Sequence, residues 1–408
     1  MLKKMFAGAL LVILLVACGQ AEPQPSATPT QPEPTLTETH TPLPPTETAT
    51  ATLEPTATDT PVPTNTPLPV VYGPSNFPAD INPLTGKQVA NPDILDRRPI
   101  AVKINIVPRY LYRPPFGLSL ADIVYDYYHN AGYSRFFAIF YGNDADLAGP
   151  IRSGRLLDHE LVQMYQSLFA YGSADQLVNQ RFFNAAYSDR LILEGTRADC
   201  PPTASAPLCR YDPAGGDLLL GDTAAMSAYA ESRRVDNDRQ NLDGMTFDSM
   251  LPSGGTAANM VYVRYSMDDY TRWDYDLASG KYLRFQDNNL DSGQGEEYAP
   301  LIDRLNDQQI SAENVIVIVA RHEFYQQPPN EIIEIYLSGS GTAYVFRDGQ
   351  VYQVRWNRPT TNSVLFLTNP DGTPFPYKPG TTWYQVVGEA TSITQPNDNT
   401  WRFNFSFP

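Results

Sequence analysis

The chain is poor in the residues on which metal and thiol chemistry rest: 408 residues hold three cysteines and four histidines. H-E-x-x-H does not occur, and His129, His159 and His322 stand far apart, so no metal site is expected. Asp287-Asn288-Asn289-Leu290-Asp291 begins like a calcium loop, but Ser292 stands where the sharp turn needs glycine and Tyr298 where a bidentate glutamate belongs. Asp236-Asn237-Asp238 is equally incomplete. Solvated acidic turns account for both, and no cofactor is expected. Basic residues are also scarce, 29 Lys and Arg against 45 Asp and Glu, giving a net charge of −16. That balance excludes nucleic acid as a partner, because phosphates call for a basic footprint, and it disfavours adsorption to anionic lipid heads. A G-x-S-x-G elbow is missing, and Ser173, in Y-G-S-A-D, has no evident base.

What the N-terminus does contain is specific. Lys3 and Lys4 form a basic region, Phe6 to Val16 a short apolar one, and Leu15-Val16-Ala17-Cys18 a small-residue cleavage site ending on cysteine. The apolar run is too short for a comfortable membrane span. The pattern matches a bacterial lipobox: residues 1–18 read as a lipoprotein signal peptide with Cys18 as the acylated residue. The expected location is the outer face of the bacterial cytoplasmic membrane, held by lipid. Residues 19–72 form a Thr/Pro-rich linker. From Gly19 to Val71 there is no aromatic residue, lysine or arginine, so the segment cannot bury enough apolar area to offset its ordering entropy. His40 lies within it.

Beyond the linker the pattern predicts an α+β protein: an N-terminal α/β domain over 82–252, then a mostly antiparallel β-rich domain over 255–408, divided at Pro252-Ser253-Gly254-Gly255. Strands are expected over Pro99–Ile106, Ile123–Tyr128 and Tyr133–Tyr141, the last two joined as a hairpin. Leu156, Leu157, Leu161, Val162, Tyr165 and Leu168 recur at helical spacing. Phe169 to Ala186 reads as strand, Gly-Ser turn and helix, with Ser173 as N-cap. In the second part strands dominate, with one short helix at Tyr298–Leu305 and a last edge strand at Trp401–Phe407. Trp273, Tyr275, Tyr282 and Phe285 form an aromatic stripe, whose ordinary reading is the packed side of a sheet. Cys200 and Cys209 flank a Pro-rich loop, and in an exported chain a local disulfide is the expectation.

R-P-I-A-V-K-I-N, G-L-S-L-A-D-I-V-Y-D-Y, S-R-F-F-A-I-F and G-P-I-R-S-G-R resemble, in order and spacing, the YerB-like lipoproteins, which carry a paired domain of unknown function numbered 3048. W-D-Y-D, Y-L-R-F, N-V-I-V-I-V, G-S-G-T-A-Y-V-F-R-D-G-Q-V, R-W-N-R and P-G-T-T-W are similar to that family's second domain. The resemblance runs from about Asn82 to Val387 and implies an exported lipoprotein with an α/β domain followed by a β-rich one. It implies no reaction. Asn130-Ala131-Gly132 departs from the family's acidic residue and paired glycines, and Asp126 replaces a common glutamate.

Three arginines in an acidic chain single out one region. Arg135, Arg152 and Arg155, with Ser153, could converge on an anion at a helix start beside Ser173, with Asp122 and Asp126 orienting the guanidiniums. The competing reading is an Arg–Asp network that locks loop to sheet. Either an anionic envelope ligand or a protein partner would suit an arginine-lined interdomain site. The runner-up is a hydrolase or transferase acting on a cell-envelope polymer, with the same loop as its anion site.

Overall fold

A computed structural model describes residues 71–212 and 215–407. Cys18, the signal peptide and nearly all of the linker lie outside the described residues. Val71 and Tyr72 already pair with Asp248 and Phe247.

In chain order the first half supplies strands β1 (Ile100–Ile104), β2 (Ile123–Asn130) and β3 (Tyr133–Phe140). Helix α1 (Leu156–Tyr165), β4 (Leu168–Ala170), helix α2 (Gln176–Phe183), β5 (Leu191–Ile192) and helix α3 (Thr223–Ser232) follow. The second half supplies β6 (Met260–Arg264), β7 (Tyr270–Asp276), β8 (Lys281–Asp287) and β9 (Asn314–Gln326). It ends with β10 (Gly339–Arg347), β11 (Gln350–Arg358), β12 (Thr382–Gly388) and β13 (Thr400–Asn404).

These strands build a 12-stranded and a 7-stranded sheet. The larger one runs β11-β10-β9-β12-β2-β3-β1-β4-β5, with short pieces added at its flanks. The fold is thus mixed α/β on the N-terminal side and largely antiparallel β on the other. One ladder joins the two: β12 lies between β9 and β2 and is parallel to both, Ile123 facing Thr382 and Tyr127 facing Val386.

Alternation explains the layering. Ala101 of β1, Tyr125 of β2 and Phe137 of β3 point to one face, where Leu157, Leu161 and Phe182 of α1 and α2 cover them. Val102, Val124 and Phe136 point to the other, against α3 or against Val261, Trp273 and Phe403 of the smaller sheet. Strands covered on both sides read as near-continuous apolar runs, as β1 and β9 do.

Several expectations change. Tyr298–Leu305 is no helix: Tyr298–Pro300 is a strand paired with β8, and the Tyr298 ring meets Tyr262 and Tyr270 edge-on. Sheet pairing there overrides local propensity. The last strand is not at an edge, because β13 runs between β6 and Ser392–Asn397. Ser173 is not the cap of α2; Asp175 is, accepting from Leu177 N at 2.8 Å. The aromatic stripe divides, with Trp273 and Tyr282 buried between the sheets while Phe285 lies on the opposite face under Arg272. Cys200 and Cys209 are disulfide-bonded.

The two sheets share a buried polar lock. Asp126 of β2 and Arg284 of β8 are fully buried and paired at 2.8 Å. The guanidinium lies 4.4 Å from the Trp383 ring centre, 4.9 Å from Phe136 and 5.2 Å from Trp273. With its amide turned so that oxygen faces the indoles, Gln385 accepts from Trp383 Nε1, Arg284 Nη1 and Trp273 Nε1 and donates to Asp126 Oδ2. Tyr265 closes the group by donating to the Asp126 carbonyl at 2.8 Å.

Candidate functional site

The strand register puts a lysine and an arginine on the helical face of the large sheet. Lys103 faces Phe137 across the β1–β3 ladder and Arg135 faces Tyr127 across β2–β3, so Lys103, Tyr127 and Arg135 all point toward α1. The G-P-I-R-S-G-R segment then crosses the ends of β1 and β4. Ile151 bridges to Ile104, Arg152 N donates to Lys103 O at 2.9 Å, and Gly154 N donates to Ser173 O at 2.8 Å. Gly154 is required by packing, since a Cβ there would lie 2.6 Å from the Phe182 ring. The loop delivers Arg155 to the start of α1.

Asp158 neutralises the floor of this cluster. Its Oδ2 accepts from Arg155 N at 2.7 Å, and its Oδ1 accepts from Lys103 Nζ at 3.0 Å and from the Tyr127 hydroxyl. Lys103 is fully buried, and burial pulls its pKa down to about 7 against the opposing pull of Asp158. Arg135 and Arg155 lower it further.

The guanidiniums above that floor are not neutralised in the same way. Arg135 Nη1 donates to Ser153 O at 2.9 Å, and its buried Nε has no hydrogen-bond partner. Arg155 Nη1 donates to Gly154 O at 2.9 Å and Nε to His129 Nδ1 at 3.3 Å. Among the described residues no carboxylate comes within 4.0 Å of either guanidinium, although Asp158 and Asp175 are near enough to act on Arg155 through space. Burial first, and Arg155 second, bring the Arg135 pKa down to about 9; burial lowers Arg155 as well. His129 is held well below its usual range by burial and by Arg135, Arg155 and Lys103, so it is a neutral acceptor for Arg155. Ser153 Oγ and the exposed Ser173 Oγ lie 3.1 Å apart at the solvent side.

The remaining expected residues fall elsewhere. Arg152, next to Ser153 on extended chain, points the opposite way and stacks over Tyr112 at 4.6 Å, in the neighbourhood of Arg210 and Asp217. Asp122 does not orient an arginine of the cluster. Its Oδ2 accepts from Tyr141 N and Gly142 N, each at 2.7 Å, at the start of β2. Burial raises its pKa to about 6 despite those bonds and one from Asn82. Asp126 is spent on Arg284. The structure therefore brings together Arg135, Ser153, Arg155 and Ser173, and adds Lys103, Tyr127, His129 and Asp158. Lys103 carries a sequence signal that went unused, since a lysine inside a strand apolar on both faces must have a buried partner.

Among the described residues, clefts open elsewhere on the surface. One of about 570 Å³ has Arg264 and Arg402 in its wall, both paired with Glu296; another of about 510 Å³ includes Asp122, Lys87 and Asp144. The cationic cluster lies at the carboxyl ends of β1 and β4, which is where open α/β sheets commonly place ligands.

Two family models that together match more than half of the chain show the family to which it belongs. Residues 84–200 match the DUF3048 N-terminal domain and residues 261–384 the DUF3048 C-terminal domain, both described as protein of unknown function. In particular, the chain is similar to the Bacillus subtilis (strain 168) protein named "Putative lipoprotein YerB", with 25% identity over 323 residues, covering 77% of this chain and 88% of that one. The crystal structure of the B. subtilis YerB protein superposes with a TM-score of 0.60 at 22% identity, covering 75% of this chain and 96% of that one, a likeness of fold.

Proposed function

We propose that this YerB-like lipoprotein is an extracytoplasmic binding protein, lipid-anchored through Cys18, that holds an anionic group of an envelope ligand or protein partner between Arg135 and Arg155. One observation carries the reading: two neighbouring guanidiniums lack a carboxylate within ion-pair distance, in a chain of net charge −16 where most arginines have one. Uncompensated, partly buried charge is costly, and an anionic ligand would offset it. Ser153 and Ser173 add hydroxyls at the solvent edge.

Binding fits the site better than the hydrolase or transferase alternative. Ser153 Oγ meets another hydroxyl and no base, His129 is spent on Arg155, and His159 bonds the Tyr187 hydroxyl. The test is co-sedimentation of the mature chain with purified cell-wall fragments at low and high salt. Retention should fall with salt and be lost in the Arg135→Gln/Arg155→Gln variant while its thermal midpoint stays near that of the wild type. Equal retention by a folded double variant would remove the site from the function.

A further inference from the structure

Resting on that reading of the cluster as an anion site, we infer that its ligand group is a dianionic phosphate monoester and not a singly charged carboxylate, sulfate ester or phosphodiester. The charge balance makes the case. Below its pKa of about 7 Lys103 carries a charge that Asp158, at 3.0 Å, offsets, and the other Asp158 oxygen accepts from Arg155 N. His129, facing the cluster from β2, contributes no charge, and Asp175, exposed to solvent at the start of α2, lies beyond ion-pair distance of either guanidinium. Tyr127 is a hydroxyl donor to Asp158. Two positive charges are left, on Arg135 and Arg155.

Geometry holds these two charges side by side. Arg155 is the charge that acts most strongly on Arg135, and the Nη1 atoms of the two donate to successive carbonyls, those of Ser153 and Gly154, each at 2.9 Å. A monoanion placed between them would compensate one guanidinium and leave the other. A terminal phosphate offers three oxygens and two charges: one oxygen edge for each fork, with the accepting hydroxyl of the Ser153–Ser173 pair free to donate to the third. Arg135 Nε supplies one more unpaired donor. A carboxylate has too few oxygens for this set, and a diester presents a second alkoxy group where a charged oxygen is needed.

The experiment is isothermal titration calorimetry of the mature chain at pH 6.5, between the monoester's second pKa and that of Lys103, with methyl phosphate, methyl sulfate, dimethyl phosphate and acetate. Methyl sulfate is the sharpest comparison, being close in shape to methyl phosphate but carrying one charge. We expect methyl phosphate to bind about tenfold tighter or more than each monoanion, and the advantage to fade as pH falls through about 6, where the monoester loses its second charge. Arg135→Gln and Arg155→Gln, each checked for an unchanged melting midpoint, should each abolish the discrimination. Vesicles with and without phosphatidic acid, whose headgroup is a monoester, form a second arm. Binding to those vesicles places the monoester on a lipid, and binding only to methyl phosphate places it on a soluble or polymer-borne group; both support the inference. Equal affinity for methyl phosphate and methyl sulfate would overturn the inference while leaving an anion site in place. No heat with any of the four anions, and no vesicle binding, would overturn both.

Discussion

Replacing Asp126 by alanine tests the lock between the sheets. The change removes the carboxylate that faces Arg284 at 2.8 Å in a spot where both side chains are fully buried. Arg284 would keep the Gln286 amide oxygen, at 2.6 Å, and three aromatic faces, but no anion. Stranding a buried charge in this way costs about 3–5 kcal/mol, several times the worth of an exposed pair. In a folded part of this size the thermal midpoint should fall by roughly 4–7 °C. Urea unfolding followed by tryptophan emission is the suitable assay, because Trp273 and Trp383 sit against the guanidinium and report on this region. The double variant Asp126→Leu/Arg284→Met should recover most of the loss, since an apolar pair of similar volume removes the stranded charge. A cost below about 1 kcal/mol for Asp126→Ala, or a double variant as unstable as the single one, would refute the account of Asp126 as the counter-ion of the lock.

Asp122 makes a pH-dependent prediction. Its folded pKa, about 6, lies above the ordinary 3.8, so between those values the folded chain binds more protons than the unfolded one. Wild-type stability should therefore fall, relative to Asp122→Asn, as pH rises from 4 to 6, by on the order of 3 kcal/mol in total, and stay level above; parallel urea midpoints for the two proteins would contradict this. Gly380, in the P-G-T-T-W motif, has φ +146°, and a Cβ there would sit 2.2 Å from the Glu313 carboxyl carbon, which holds Thr381 N and Lys87. Gly380→Ala should cost about 1–3 kcal/mol. It should cost clearly more than Gly254→Ala, where φ is also positive but nothing lies within 4 Å; equal melting midpoints would be the contrary result. Cys18→Ser should shift the protein from the membrane to the soluble fraction, because acyl burial of about 0.8 kcal/mol per methylene is lost; unchanged fractionation would argue against a thioether-linked lipid.

Much of the fold could be read from local pattern, and the failures share a cause. The hairpin of β2 and β3 follows from two β-branched and aromatic runs around Asn130-Ala131-Gly132, and α1 from its apolar spacing. What alternation does not carry is which strands meet across long separations. Thr382–Gly388 is buried along its whole length, so its sequence is equally suited to either sheet. The same limit governs Asp126, whose partner is 158 residues away. At the cluster, arginines at loop and strand positions pointed to Arg135 and Arg155. Only three-dimensional register separated them from Arg152, which extended chain turns to the other side.

The insertion of β12 between β9 and β2 bears on how such a chain can be made and inherited. A polypeptide that emerges N-terminus first presents the open edge of β2 long before Thr382–Gly388 exists to cover it. Non-local closure of that kind is slow, and an uncovered edge is a template for intermolecular pairing. A gene truncated near Pro252 would encode a product with that edge permanently open, and one beginning there would leave β12 without its β2 neighbour. Neither half is a self-sufficient unit of recombination, which gives a mechanical reason for the two DUF3048 segments to occur here in a single chain.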